Sequence, residues 1–255
     1  MSELVPANPP VLHKSRWLQF SMRTMLVAVL AFACAFAIIH HLIPDLVPDP
    51  LATHCKLNLK CLLLAMHGYH DRYGCFPPAY IADANGRPMH SWRILVLPFM
   101  CEADLYHAYD FSESWNGPNN SKLASRMPEY FACPAGDGSG WTTNYVAVVG
   151  PETIWPGDKP VAIRQIRDGV SNTIALVEVA NSGIQWMEPR DLDIKTLGST
   201  SGPGPTISGN HPHGPWVGLG DGSTRHLPKW LAPETLEALL TIQGGEPIPA
   251  DVWHR

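Results

Sequence analysis

The chain has 255 residues, with 18 Lys and Arg against 23 Asp and Glu, a formal net charge of −5. That balance excludes a basic nucleic-acid footprint, and 45% apolar residues with nine Trp exclude an intrinsically disordered chain. Charged residues are only 16%, and 25 Pro with 21 Gly predict short elements joined by many loops.

Residues 1–20 are polar, carry Pro6, Pro9 and Pro10, and read as a cytoplasmic tail. Met25–Ile39 is an unbroken uncharged, apolar run, which Leu42 and Ile43 extend past His40 and His41 to Pro44. A bilayer core takes roughly 20 such residues in a helix, so a single-pass transmembrane anchor is expected over 21–43. Lys14, Arg16 and Arg23 precede the run, and Asp45 and Asp49 are the first charges after it. That asymmetry predicts a cell-membrane protein with its N-terminus in the cytoplasm and its main domain outside. Alternatives are a cleaved signal peptide, from Ala33-Cys34-Ala35 or Ala35-Phe36-Ala37, and a lipoprotein signal at Cys34. Pro44, Pro48 and Pro50 make 44–50 a Pro-rich linker that one helix cannot cross.

The main domain is expected over 51–247, with 248–255 as a C-terminal tail. Leu51–Tyr73 predicts a helix, because Leu51, Cys55, Leu59, Leu62, Leu63, Met66 and Tyr69 recur at helical spacing. Gly74 and Pro77-Pro78 stop it. Asn85-Gly86 marks a turn, and Ser91 caps a short helix from Trp92, with a buried strand over Arg93–Leu97 as the alternative. Glu102–Tyr109 continues helically, and Lys122–Arg126 gives one helical turn. Strands are expected at Asn144–Val149, Ile163–Ile166 and Ile174–Val179, with Ile184–Met187 pairing to the last. Leu197–Ser208 reads as a loop. Trp216–Leu219 and Thr224–Leu227 flank Gly220-Asp221-Gly222 as a hairpin, and Pro233–Thr241 is a short helix. This order predicts an α+β domain, an amphipathic helix packed on a small antiparallel sheet. Of six Cys (34, 55, 61, 75, 101 and 133), five lie outside the apolar run. An odd number leaves at least one thiol free or bridged to another chain. Their spacing contains no C-x-x-C, and it does not assign the pairs.

Cys55–Tyr80, Ser91–Phe111, Trp115–Asn120 (WNGPNN), Tyr130–Pro134 (YFACP), Asn144–Pro151 and Asp168–Ala180 (DGVSNTIALVEVA) form an ordered series. It is followed by His211, nine residues, then Asp221-Gly222, and by Thr235–Glu246. This series resembles a pseudopilin-like family expanded in planctomycete bacteria. The family carries a domain of unknown function, also described as solute-binding-protein-like, with a C-terminal His-x9-Asp-Gly motif. Its leader has Gly before the cleavage site and Glu at the fifth mature position, whereas Gln19 and Thr24 stand there in this chain. The resemblance therefore implies an anchored, outward-facing, pseudopilin-like α+β domain, with no catalytic residues to carry over.

Three functional readings follow. The first is a non-enzymatic module in envelope assembly or a secretion-related complex, with the membrane and envelope or secretion-system proteins as partners, no cofactor and no nucleic acid. The second is a receptor for glycan or another small solute, in which Trp115, Asn116, Trp141 and Asn144 would supply stacking faces and hydrogen bonds. The third is a metal-dependent hydrolase. His211, His213, Asp221 and His226 are its candidate ligands, because an H-x-H pair beside a hairpin carboxylate and a third imidazole would suit zinc. The competing account of that motif is a turn at Asp221-Gly222 needing positive φ, with His211 bonding a loop packed on it. His67 and His70 read as packing residues of the long helix, and Glu178 reads as a structural hydrogen-bonder in its strand. No G-x-S-x-G, H-E-x-x-H or phosphate loop occurs.

Overall fold

A computed structural model describes residues 22–42 (side chains at 23 and 39–42 excepted), 49–136, 140–197, 206–211, 214–228, 230–249 and 252–253. The expected cytoplasmic tail, most of the Pro-rich linker, His213 and most of the 197–208 loop lie outside these residues. The chain divides into two units, 1–48 and 49–255. The first contains helix α1 (Met22–Leu42), whose described side chains are exposed. Among the described residues no helix is long and apolar enough to cross a membrane.

The second unit is α+β. Helix α2 (Pro50–Tyr73) begins where the Asp49 side chain accepts a hydrogen bond from Leu51 N at 2.9 Å and Pro50 presets the first turn. It ends at Gly74, whose φ of 79° is the left-handed conformation of a helix C′ residue. Its buried stripe is Ala52, Cys55, Leu59, Leu62, Leu63, Ala65 and Met66. Leu51, expected in that stripe, is exposed in the first turn of the helix.

A four-stranded antiparallel sheet receives that stripe, in the order β3 (Tyr145–Val146), β5 (Ile174–Glu178), β7 (Trp216–Leu219), β8 (Thr224–His226). Glu178 stands opposite Tyr145, Val177 opposite Val217, and Trp216 opposite His226. The expected hairpin is β7–β8, turned at Gly222 with φ 82°. Both sheet faces are buried. Tyr145, Leu176 and Trp216 join the cluster around α2, while Val146, Val177, Val217 and Leu219 join Leu239 and Leu240 of α6 (Pro233–Leu240). A bulge between Ile174 and Leu176 lets Ala175 and Leu176 both enter the α2 cluster, breaking strict alternation.

Smaller elements surround this layer pair. Strands β1 (Tyr80–Ala82) and β2 (Pro88–Ser91) form a hairpin, and β4 (Val148–Val149) pairs in parallel with β6 (Leu192–Asp193). Ser91 caps helix α3 (Trp92–Leu95) by accepting from Arg93 N, which settles 93–97 as helical at its start. Helices α4 (Ala103–Ala108) and α5 (Ile194–Leu197) are single short turns of chain. Residues 163–166 were expected as a strand but form a 3-10 turn, where Gln165 Oε1 accepts from Ala162 N. Ile184–Met187 contributes only a bridge from Gln185 to Thr142.

Two interactions fix this packing. A Cβ on Gly218 of β7 would lie 2.7 Å from Leu63 Cδ1, so glycine lets α2 approach the sheet at that point. Arg93 is wholly buried and bonds Asp191 Oδ1 at 2.6 Å, Ser91 Oγ at 3.0 Å and Tyr145 O at 3.2 Å. The same Asp191 oxygen accepts from Ala147 N at 2.8 Å and Trp92 Nε1 at 3.3 Å. Burial pushes the Asp191 carboxyl up and the Arg93 guanidinium down, and each charge opposes the shift of the other.

Gly218→Val should destabilise the fold by about 1–3 kcal/mol through overpacking against Leu63, read as a lower denaturant midpoint of the full chain in detergent. An unchanged midpoint would show that α2 is not seated there. Asp191→Ala should cost about 3–5 kcal/mol by leaving Arg93 buried and unpaired, with an Arg93→Met/Asp191→Leu chain recovering much of the loss. Equal loss in the single and the double variant would place the cost elsewhere than in an orphaned charge.

Candidate functional site

The seam between α2 and the sheet carries a cluster of four buried chemically versatile side chains: Cys55, Cys133, Glu178 and His211. Each comes from a different segment. Cys55 lies in the second turn of α2, and its position on the apolar stripe forces it inward. Cys133 follows a 3-10 turn at Glu129–Phe131. Its loop is held from two sides, because Asn58 Nδ2 of α2 donates to Ala132 O at 2.9 Å and Cys133 N donates to Asn144 Oδ1 at 2.8 Å. Glu178 ends β5, and His211 lies on the chain leading into β7.

Cys55 and Cys133 form a disulfide with Cα atoms 5.3 Å apart, closing a separation of 78 residues. Cys34, Cys61, Cys75 and Cys101 are free thiols. His211 links the disulfide to two carboxylates. Its Nε2 stands 3.3 Å from Cys133 Sγ and 3.4 Å from Glu178 Oε1, and its Nδ1 stands 3.2 Å from Asp49 Oδ2. Asp49 thus has two tasks, capping α2 through Leu51 N and orienting the imidazole. Glu178 has no exposed side-chain surface. Its Oε2 accepts from Trp216 N at 2.9 Å, whereas Oε1 has no hydrogen-bond partner among the described residues and faces His211. A Cβ on Gly209 would lie 2.9 Å from Glu178 Oε2, so the loop presses onto the carboxylate.

Electrostatics follow from burial. Burial pushes the Glu178 carboxyl up, against the Trp216 N–H and His211, which favour its charged form. At Asp49 burial also pushes upward, but the hydrogen bonds from His211, Leu51 and Ala52 outweigh it and hold the carboxyl below its ordinary value. Burial, then the nearby Glu178 charge, raise the Tyr145 hydroxyl, which donates to Cys55 O at 3.3 Å. Chemically, the cluster offers two sulfurs, one imidazole nitrogen and one carboxylate oxygen within 4.8 Å of one another.

The residues anticipated from sequence are distributed differently. His211 is in the cluster, while Asp221 and His226 are not members of it. Asp221 Oδ1 accepts from Ser223 N in the β7–β8 turn, and the His226 ring lies on Trp216 with centroids 3.6 Å apart. Among the proposed sugar-binding residues, Asn144 is buried and its amide bonds Cys133 N, Val179 O and Ala180 O, so its polar atoms are committed to the fold. Trp115 is partly buried against the core, and Asn116 is exposed with its Oδ1 accepting from Ser114 Oγ. Trp141 is half exposed at a φ of 55°. Trp92, Trp155 and Trp186 fill the core. His70 Nε2 accepts from Ile163 N, and His67 packs edge-on to Phe76. No local motif links the two cysteines and Asp49 to His211 in sequence. The available signals were Cys55 on the apolar stripe and Asp49 immediately before Pro50.

Because burial raises the Glu178 carboxyl, the folded chain holds a proton there that the unfolded chain releases above the ordinary value of 4.5. That contribution to stability is fully present below pH 4.5 and is lost as pH rises through the raised folded value. His211, Asp49 and Tyr145 are the other titratable groups in contact with or close to it. Glu178→Gln should therefore flatten the decline in stability with rising pH over that window, measured by denaturant titrations at a series of pH values. An unaltered slope would mean that another group carries it.

Residues 52–158 match the family model described as "Protein of unknown function (DUF1559)". The match takes in Cys55, Arg93, Cys133 and Asn144 and ends before Glu178, Asp191 and His211. No curated protein and no solved structure matches the chain. The match supports a domain of unknown function, and the matched stretch is the first half of the unit 49–255.

Proposed function

We propose that the chain is a single-pass membrane protein that displays a disulfide-stapled, pseudopilin-like α+β domain outside the cytoplasm. It acts there as a structural or interaction module of an envelope assembly or secretion-related complex, without chemistry of its own. The observation that carries this reading is the buried Cys55–Cys133 disulfide at the heart of the domain, since such bonds persist in oxidising compartments outside the cytoplasm. Two further features support it. In α1 the described apolar side chains from Met25 to Ile38 are all exposed, and the sequence continues apolar through Ile39, Leu42 and Ile43. By sequence the run Met25–Ile43 is 19 residues long, close to the roughly 20 that a bilayer core takes in a helix. A long helix seated by its apolar stripe on an antiparallel sheet is also the arrangement that the pseudopilin-like resemblance implies. The solute-receptor reading loses Asn144 to the interior, and it keeps Trp141 as an exposed aromatic face.

The test is to alkylate intact cells with a membrane-permeant thiol reagent, isolate membranes, and digest without reduction. The expected result is a Cys55–Cys133 linked peptide from the carbonate-resistant membrane fraction, with the domain cleavable by protease added from outside. Recovery of the chain in the soluble fraction, or of Cys55 and Cys133 both alkylated, would overturn the proposal.

A further inference from the structure

We infer that Cys55, Cys133, Glu178 and His211 form a zinc site in the dithiol form of the chain, with the disulfide and the metal as alternative closures of the same buried centre.

The donor set is the first ground. Two thiolates, one imidazole nitrogen and one carboxylate oxygen are four ligands of types that zinc accepts, in the number a tetrahedral structural site requires. All four residues are buried. The second ground is spacing. Bond lengths of about 2.3 Å to sulfur and about 2.0–2.2 Å to nitrogen and oxygen give tetrahedral edges of roughly 3.4 Å for N···O and 3.6 Å for N···S. His211 Nε2 stands 3.4 Å from Glu178 Oε1 and 3.3 Å from Cys133 Sγ. The ring nitrogen thus already stands at nearly the separations of a coordinated set from the oxygen and from one sulfur. The two sulfurs would have to part, from bonding distance to roughly 3.8 Å. Their α carbons are 5.3 Å apart on a helix and a loop, so side-chain rotation supplies most of that movement.

The third ground is the unpartnered atom. Glu178 Oε1 is fully buried, has no hydrogen-bond partner among the described residues and points at the ring nitrogen. A buried oxygen left in that state is costly, and a cation placed between Oε1, Nε2 and the sulfurs would satisfy it. The fourth ground lies behind the ligands. Asp49 Oδ2, 3.2 Å from His211 Nδ1, would accept the Nδ1 proton when Nε2 ligates the metal. This is the carboxylate–histidine pairing that commonly supports a metal-bound imidazole. Trp216 N holds Glu178 Oε2 in the same manner.

The conversion balances. A dithiol reductant gives two electrons and two protons to the Cys55–Cys133 bond, leaving two thiols, and itself becomes a disulfide. Zn2+ then displaces the two thiol protons, together with any proton resting between Glu178 and His211, and no further electrons move. The redox poise around the domain decides which closure is populated. The inference does not depend on the membrane location proposed above.

The experiment uses the full chain in detergent with Cys34, Cys61, Cys75 and Cys101 replaced by Ser, reduced with a trialkylphosphine. The metal probes are Zn2+, followed by competition with a chromogenic chelator, and Co2+, followed by absorption. The expected result is one Zn2+ per chain after reduction and none in the oxidised chain. Co2+ should give thiolate-to-metal charge-transfer bands and the intense visible bands of a tetrahedral site. His211→Ala and Glu178→Gln should each weaken Zn2+ binding by roughly ten-fold or more. Asp49→Asn keeps the helix cap but weakens the support of His211, and should cost about 10–100-fold. Absence of a thiolate–cobalt band in the reduced chain overturns the inference, as does a band unaltered by His211→Ala and Glu178→Gln. If reduction unfolds the domain, Zn2+ must restore the tryptophan emission of the oxidised form, and unfolding that Zn2+ does not reverse also overturns it.

Discussion

The close approach of α2 to the sheet sets what the remainder of the domain can be. Where Leu63 lies over Gly218, no side chain intervenes between helix and strand, so the apolar stripe of α2 meets Leu176 and Trp216 directly. Cys55 is one turn up the same stripe from Leu59, and it therefore points into the seam rather than to solvent. Glu178 follows two residues after Leu176 along the strand, and the period of two puts its carboxylate toward that side of the sheet. A buried cysteine and a buried glutamate are thus consequences of the register on two elements. The loop bearing Cys133 and the segment bearing His211 close over them.

Much of the architecture can be read from residue order, and the reasons are local. The α2 stripe from Cys55 to Met66, the Gly74 stop, the Ser91 cap and the Asp221-Gly222 turn are each written within a few residues, and each appears where expected. Strand assignments without such punctuation are less secure. Residues 163–166 are apolar enough for a strand, but the Gln165 side chain ties Ala162 N into a 3-10 turn. The 144–149 run divides into β3 and β4, because Asp191 takes the N–H of Ala147 between them and each half pairs with a different strand.

The site was far less legible. Its members are separated by up to 162 residues, the distance from Asp49 to His211, and no local spacing links them. The histidine stands out in sequence because Asp221-Gly222 follows it, yet its partners are a helix cap, a strand carboxylate and a disulfide. Asn144 shows the converse problem. An asparagine near tryptophans looks like a recognition residue, but its amide is consumed in holding Cys133 and the chain after β5. Polar side chains that build a loop and those that greet a ligand have the same letters, and only burial separates them.

The cap at Asp49 has a mechanical meaning. Tension arriving along the chain from residues before Asp49 would peel α2 from its N-terminal end, turn by turn. After six residues the peeling reaches Cys55, which is covalently joined to the loop at Cys133. Beyond that point force passes across a sulfur–sulfur bond into the body of the domain, and the rest of α2 is shielded from it. The helix is thereby protected at the end through which a tether would pull.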